Sequence, residues 1–347
     1  MMKINFYTLD LSEKKAIFEA IAENKRMTAF AVEKDWWVSR TLEIIFQMEI
    51  SKFLVFKGGT SLSKAWKLID RFSEDIDLSI DRTFFFPNQK EWSKREITKL
   101  RKEASKFISE SFLESLKIEF SKRKYEVEFK LIASTDSDQD PRIIEIYYPN
   151  VISTNSTYIL PKILLEIGCR SLREPNNIQK FGSLVDEHFS EREFSTELFE
   201  VTTVLPERTF LEKLFLLHEE FHRPIQKIRV DRLSRHLYDI YHLYQVGIGS
   251  RAVRDKELYE TIVQHRYTFT RIGGVDYNSH HPNTLDPIPI AEILGEWRMD
   301  YSSMLSEMIY EENPPSFEQL MDCLNNIKLD LQKLDWSFDL RFPFQKG

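Results

Sequence analysis

The rhythm of apolar positions changes partway along the chain. Up to about residue 205, short apolar runs of strand length are mixed with helical spacings; beyond Pro206 the helical period takes over almost throughout. Leu11–Lys15 opens a helix behind which a second apolar-periodic run, Ala29 to Met48, predicts another. Phe53–Phe56 is an apolar run stopping at Gly58-Gly59, as a buried strand ending in a tight turn does. Helical spacing follows from Ser61 to Ile69, and strict alternation from Asp75 to Ile80 predicts a strand with one wet face. A long, charge-rich amphipathic helix with one break is expected from Trp92 to Arg123. Further strands are expected at 125–132, 143–147, 162–167 and 199–204, and then helices at 209–221, 234–244, 256–265, 296–310 and 317–334. The pattern predicts two domains, residues 1–205 of mixed α and β and residues 206–347 all helical.

Composition narrows the class. With 347 residues and 42% hydrophobic content the chain can bury a real core, and 30% charged residues of both signs describe a water-facing surface. The formal charge of −7 argues against a general nucleic-acid or membrane binder, although a local basic face remains compatible with it. The two cysteines, Cys169 and Cys323, suggest no disulfide framework. The N-terminal residues Met1 to Phe6 have no run of signal-peptide type and no stretch has membrane-spanning length, so a cytoplasmic protein without membrane association is expected.

The candidate chemistry lies in the strand–turn–helix–strand segment. Residues two apart on a strand share a face, so Asp75 and Asp77 project together while Ile76 and Leu78 turn inward. Two adjacent carboxylates repel unless a cation joins them, and Mg²⁺ commonly takes one or two carboxylates plus substrate phosphates. The Gly58-Gly59-Thr60-Ser61 turn offers close backbone N–H groups, a helix start and hydroxyls to an anion. Each piece alone has a bland explanation, as solvated acids or as a plain turn. Their succession points to a nucleotide site with metal at Asp75 and Asp77 and phosphate at Gly58, Gly59, Thr60 and Ser61.

Phe56-Lys57-Gly58-Gly59-Thr60-Ser61-Leu62-Ser63-Lys64 followed by Arg71-Phe72-Ser73-Glu74-Asp75-Ile76-Asp77-Leu78 resembles the AbiEii/AbiGii toxin family, within the DNA polymerase β-like nucleotidyltransferase superfamily. The resemblance extends to Val32–Trp37, to Glu207–Leu214 with its lysine and to Ser234–Tyr241 with its aspartate, spanning roughly residues 30 to 245. The gap from Gly59 to Asp75 exceeds the superfamily's minimal spacing, which leaves open which of Gly59, Thr60 and Ser61 faces a triphosphate. The resemblance implies an α+β nucleotidyltransferase fold, a small mixed sheet flanked by helices, followed by an all-helical C-terminal domain closing the nucleotide cleft. It implies transfer of a nucleoside monophosphate from NTP to an acceptor with Mg²⁺ or Mn²⁺, the acceptor being RNA such as a tRNA 3′ end. It also implies a toxin with a cognate antitoxin in a bacterial toxin–antitoxin or phage-defence system. A protein or small-molecule acceptor, and a catalytically idle RNA- or partner-binding module, are the alternatives.

In such a fold a third carboxylate comes from a neighbouring strand. Glu166, inside the apolar run Lys162–Ile167, is the candidate for the metal or for taking the acceptor's proton; otherwise it is an exposed strand-end residue or an ion-pair partner of Lys162 or Arg170. By resemblance Lys213 neutralises nucleotide phosphate and Asp239 is essential beside it. The bland alternatives are a lysine snorkelling at the edge of an apolar face and an aspartate paired with Arg235 one turn away. Arg223, Lys227, Arg229, Arg232 and Arg235 form a cationic segment that either holds acceptor phosphates or is a solvated loop. His218-Glu219-Glu220-Phe221-His222 matches the zinc-protease pattern His-Glu-x-x-His, with His236 or His242 as a conceivable third ligand. Pro224 directly after it and the overlap with the lysine motif weigh against zinc.

Overall fold

The computed structural model describes residues 4–73, 75–153 and 160–343; Met1, Met2, Lys3 and Glu74, quoted above, lie outside the described residues. The chain divides into two compact units, one of residues 1–67 and 72–204, the other of residues 68–71 and 205–347. The short connection before the Asp75 strand therefore belongs to the unit built from the C-terminal helices. Among the described residues no helix is long and apolar enough to cross a membrane.

The first unit is organised on a seven-stranded mixed sheet. Its strands are β1 (Leu54–Lys57), β2 (Asp75–Ile80), β3 (Glu128–Leu131), β4 (Arg142–Tyr147), β5 (Lys162–Gly168), β6 (Asn176–Phe181) and β7 (Phe199–Val204), in the order β3-β4-β5-β2-β1-β7-β6. β2 sits at the centre, antiparallel to β1 and parallel to β5. β6 departs from the sequence expectation. Asn176-Asn177-Ile178-Gln179-Lys180-Phe181 has no clean alternation because it is an edge strand whose Ile178 stays 60% exposed.

Helices α1 (Leu11–Lys25) and α2 (Ala29–Gln47) begin on Asp10 and Thr28, whose side chains accept from backbone N–H groups three residues on. α2 is buried along most of its length, charged residues included. Burying a charge is costly unless it is paired, and here each is met. Glu33 accepts from the Val151 and Ile152 N–H groups at 2.7 and 2.9 Å, Lys34 donates to the Leu160 carbonyl at 2.9 Å, and Arg40 pairs with Asp186 at 2.5 Å. Trp36 and Trp37 pack with Tyr125 and Tyr148 in the core beneath the sheet. After α3 (Gly58–Thr60) the helical turn widens over Ser61–Ala65 and stops there, short of the Ile69 expected from periodicity.

The long helix expected from Trp92 is α4 (Lys94–Phe107), opened by a Ser93–Glu96 capping box, then a wide turn at Ile108–Phe112, then α5 (Leu113–Lys122). The short α6 (Leu184–His188) completes the unit.

The second unit is helical: α7 (Pro206–Phe221), α8 (Arg235–Gln245), α9 (Ile248–Arg254), α10 (Lys256–Phe269), α11 (Leu294–Glu307) and α12 (Phe317–Gln332). Pro206 occupies the first turn of α7, where its missing N–H costs nothing. α9, not expected from the pattern, is a seven-residue helix that starts on Gly247 at φ +77°.

Candidate active site

Sheet register assembles the carboxylates. Asp77 stands opposite Glu166 of β5 on one side and Lys57 of β1 on the other, and Asp75 stands opposite Leu164. Burial alternates along both strands, so Asp75, Asp77 and Glu166 share the half-exposed face while Ile76, Leu165 and Ile167 enter the core. Glu166 is thus in mid-strand and not at an exposed end. The two cations flanking it in sequence have acids of their own, Lys162 with Glu145 and Arg170 with Asp140.

The glycine turn closes on the same carboxylates. Gly58 has φ +79°, and a Cβ placed on it would lie 2.0 Å from Asp77 Oδ2. Only glycine satisfies both the left-handed backbone and that approach. Lys57 Nζ lies 3.8 Å from Asp77 Oδ1, a loose partner that leaves the carboxylate 25% exposed.

Thr60 and Ser61 differ from expectation. Both are fully buried; the Thr60 hydroxyl donates to the Asp75 carbonyl at 2.5 Å, and the Ser61 hydroxyl donates to the Gly58 carbonyl at 2.8 Å. Their oxygens shape the turn and hold it to β2, leaving the backbone at Gly58 and Gly59 as the half-exposed part. Lys64, at the end of the turn, pairs with the buried Asp35 of α2, whose other oxygen accepts from the Leu184 N–H at 2.7 Å.

The donor set suits a hard divalent cation: two carboxylates one strand period apart, a third on the adjacent strand, and no side chain at Gly58 beside them. Among the described residues no three His, Cys, Asp or Glu groups form a ready-made metal cage.

In the helical unit, Asp239 of α8 is completely buried. It accepts from Arg71 Nε at 2.6 Å and Nη2 at 2.7 Å, and pairs with Lys213 of α7 at 2.9 Å. Burial alone would raise its carboxyl; Arg71 and Lys213 outweigh that and hold it well below the usual carboxylate range. Lys213 in turn is lowered by burial, a shift opposed by Asp239 and reinforced by Arg71. His236 Nδ1 lies 3.2 Å from Lys213 Nζ. Burial first, and then the charges of Lys213 and Arg235, depress His236 well below the ordinary imidazole value, so it stays neutral and accepts from the ammonium. Arg71 carried no expected role; its partner is far away in sequence, so no local pattern announces it. Asp239 stands beside Lys213, as the resemblance implied, and the alternative pair with Arg235 gives way to Arg71 and Lys213.

The cationic segment is partly neutralised. Arg223 and Arg229 both bind the buried Glu220, at 2.9 and 2.7 Å. The backbone N–H groups of Arg232 and Ser234 are held by Asp300. Lys227 is exposed and Arg235 half-buried. The His-Glu-x-x-His match is internal framework. Glu219 is fully buried against Arg266 and His280, which override burial and hold it at about 2. His218 Nδ1 accepts from the Asp286 N–H at 2.9 Å and its Nε2 meets Ser279 Oγ at 2.8 Å. An acid already neutralised by a guanidinium cannot act as the general base of a zinc site.

Comparison with known proteins identifies the family. A family model described as nucleotidyl transferase AbiEii toxin, type IV TA system, matches residues 40–323. Among solved structures the chain is similar to MenT4, a nucleotidyltransferase toxin from Mycobacterium tuberculosis H37Rv, with a TM-score of 0.53 and 18% identity over 94% of this chain and 91% of that one. At that identity the likeness concerns the fold. JHP933 from Helicobacter pylori matches over 87% of this chain and 92% of its own, with a TM-score of 0.40 and 14% identity. No curated protein matches the sequence.

Proposed function

The chain belongs to the AbiEii nucleotidyltransferase toxin family of type IV toxin–antitoxin systems, and from that premise we propose that it transfers a nucleoside monophosphate from NTP to a hydroxyl of an RNA acceptor, a tRNA 3′ end being the natural candidate. The observation that carries this reading is the register of Asp75, Asp77 and Glu166 on one face with Gly58 closed against Asp77.

Asp75 and Asp77 would hold Mg²⁺ or Mn²⁺, with Glu166 on the adjacent strand either completing the ligand set or serving as proton acceptor. When bound, the ion supplies charge to the phosphate oxygens and lowers the cost of the developing negative charge. The half-exposed backbone at Gly58 and Gly59 receives the polyphosphate. The acceptor oxygen attacks the α-phosphorus, the bond to the β-phosphate bridging oxygen breaks, and pyrophosphate departs. In the second of its two roles, a Glu166 carboxylate oxygen takes the proton of the acceptor hydroxyl. Lys213, paired with Asp239 inside the helical unit, is by the family resemblance the cation that would neutralise phosphate charge. Catalysis is then chiefly positioning and charge neutralisation. The product is a capped or extended RNA end, which accounts for toxicity, and a cognate antitoxin restrains it.

The test supplies each α-labelled NTP with Mg²⁺, total tRNA and cell extract, using Asp77→Asn as control. Label entering RNA in the wild type and lost in the variant is expected. Label entering a protein band instead would move the acceptor to protein, and no label with any of the four nucleotides would overturn the reading.

A further inference from the structure

α4 carries six Lys or Arg residues against two Glu in a chain whose formal charge is −7. Four of them, Arg95, Lys99, Lys102 and Lys106, recur at i, i+4, i+7 and i+11 and fall on one helix face. The opposite face, with Leu100 and Ala104, is buried. All four cations are exposed, and among the described residues none forms an ion pair. Of the two acids on the helix, Glu96 is bound by its capping box and Glu103 lies one turn from Lys99 and from Lys106, so four cations face one exposed acid; Arg101, off the stripe, pairs with Asp138 at 3.1 Å.

Two half-buried aromatic rings adjoin this stripe. Phe86 and Trp92 meet edge to face at 6.2 Å; Lys99 lies 5.2 Å from the Phe86 ring and Arg82 lies 5.8 Å from that of Trp92. The helix packs beside the end of β5: Cys169 Sγ is 4.0 Å from the Leu100 carbonyl, three residues along the chain from Glu166. At the strand rise that is about 10 Å.

We infer that the α4 stripe docks the RNA acceptor. It grips successive backbone phosphates with Arg95, Lys99, Lys102 and Lys106, and Phe86 and Trp92 offer a surface on which a base can stack. This rests on the RNA-acceptor reading above. A row of cations spanning about 16 Å of helix suits a polyanion with regularly spaced charge. Adjacent aromatic rings suit an unpaired base. An anionic membrane is disfavoured because the helix's apolar face is already spent on the core. The segment 223–235, with Arg223 and Arg229 bound to Glu220, is the weaker cationic surface of the two.

The experiment measures binding of 5′-labelled total tRNA to the full chain by fluorescence anisotropy across a salt series, alongside label transfer to the same RNA. The stripe variant is Arg95→Gln/Lys99→Gln/Lys102→Gln/Lys106→Gln. The control, Lys15→Gln/Lys25→Gln/Lys117→Gln/Lys333→Gln, removes the same charge elsewhere. The stripe variant is expected to bind about tenfold or more weakly, with a log Kd against log salt slope smaller by up to about 3, and to transfer label at raised RNA KM; the control retains wild-type values. Wild-type labelling of RNA with an unchanged stripe variant overturns this inference and leaves the acceptor reading intact. Absence of RNA labelling by the wild type overturns both. A stripe variant that labels RNA normally but escapes its antitoxin would assign the face to an acidic protein partner and overturn the RNA assignment.

Discussion

Arg71 holds both oxygens of Asp239, at 2.6 and 2.7 Å, although 168 residues separate them in sequence. One of those oxygens also carries Lys213 at 2.9 Å. The carboxylate therefore balances two cations, and the buried Lys213 ammonium depends on a charge it shares with Arg71.

This sharing has a signed consequence. If transfer needs charged Lys213, its rate falls on the alkaline side as Lys213 loses its proton, below the ordinary lysine value because burial lowers it. Asp239→Asn removes the group that supports the charge and moves that limb to lower pH. Arg71→Ala removes a group that opposes the charge and moves it to higher pH. A pH profile of label transfer for the three proteins checks this. Equal limbs in all three would show that Lys213 does not set it.

Gly58→Ala is expected to abolish transfer and destabilise the first unit. The left-handed backbone alone costs about 1–2 kcal/mol, and the added Cβ would lie 2.0 Å from Asp77 Oδ2. Gly295→Ala, with nothing within 4 Å of its Cβ, is the tolerated contrast. Thermal melting and initial rates of the two variants separate a specific closure at Gly58 from a general sensitivity to alanine.

Glu219→Gln tests whether the His-Glu-x-x-His match is framework. In the folded chain the carboxyl is held at about 2 against an ordinary 4.5. Its stabilisation is present above pH 4.5 and is lost as pH falls through about 2, amounting to roughly 3 kcal/mol. Removing the charge leaves Arg266 and His280 buried without it, which costs about 3–5 kcal/mol near neutrality. Chemical denaturation should show that deficit narrowing between pH 4.5 and 2, with transfer per folded molecule unchanged. A variant of wild-type stability that had lost activity would return Glu219 to a catalytic role.

How far these arrangements could be read in advance depends on the range of the interaction. Asp75-x-Asp77 was legible because strand alternation is local, and Gly58-Gly59 because a left-handed turn demands glycine. The mixture of strands and helices before about residue 205 and the change to helices after Pro206 followed from periodicity, whereas the α+β fold itself came with the family resemblance. β6 was not legible: an edge strand carries polar residues on both faces, and Asn177, Gln179 and Lys180 look like loop. Arg71 was hidden by the sequence distance to Asp239. The arginines near residue 223 drew attention by density alone, and only coordinates show Glu220 beneath two of them. The α4 stripe has the opposite history. Its i, i+4, i+7, i+11 spacing stands in the sequence, but a charge-rich helix looks like any solvated face until its partners are known.

The Asp35–Lys64 pair extends the same logic to the glycine turn. Asp35 is buried in α2, pairs with Lys64 at the end of the turn and accepts from the Leu184 N–H at 2.7 Å. It touches none of the half-exposed carboxylate face, so its contribution to nucleotide binding passes through the placement of residues 58–65. Asp35→Asn keeps the shape and the hydrogen bond from Leu184 but gives up the charge facing Lys64. The expected result is a rise in KM for NTP of about tenfold with a smaller change in kcat, because the turn that receives phosphate is loosened while the carboxylates on β2 and β5 stay in register. Lys64→Met, which removes the partner charge, should give the same KM shift, and the double variant should be less impaired than the sum of the two. Steady-state kinetics of the three variants measure it. A fall in kcat with KM unchanged would mean that Asp35 acts on the carboxylate face after all, and additive losses would mean that the two residues act independently.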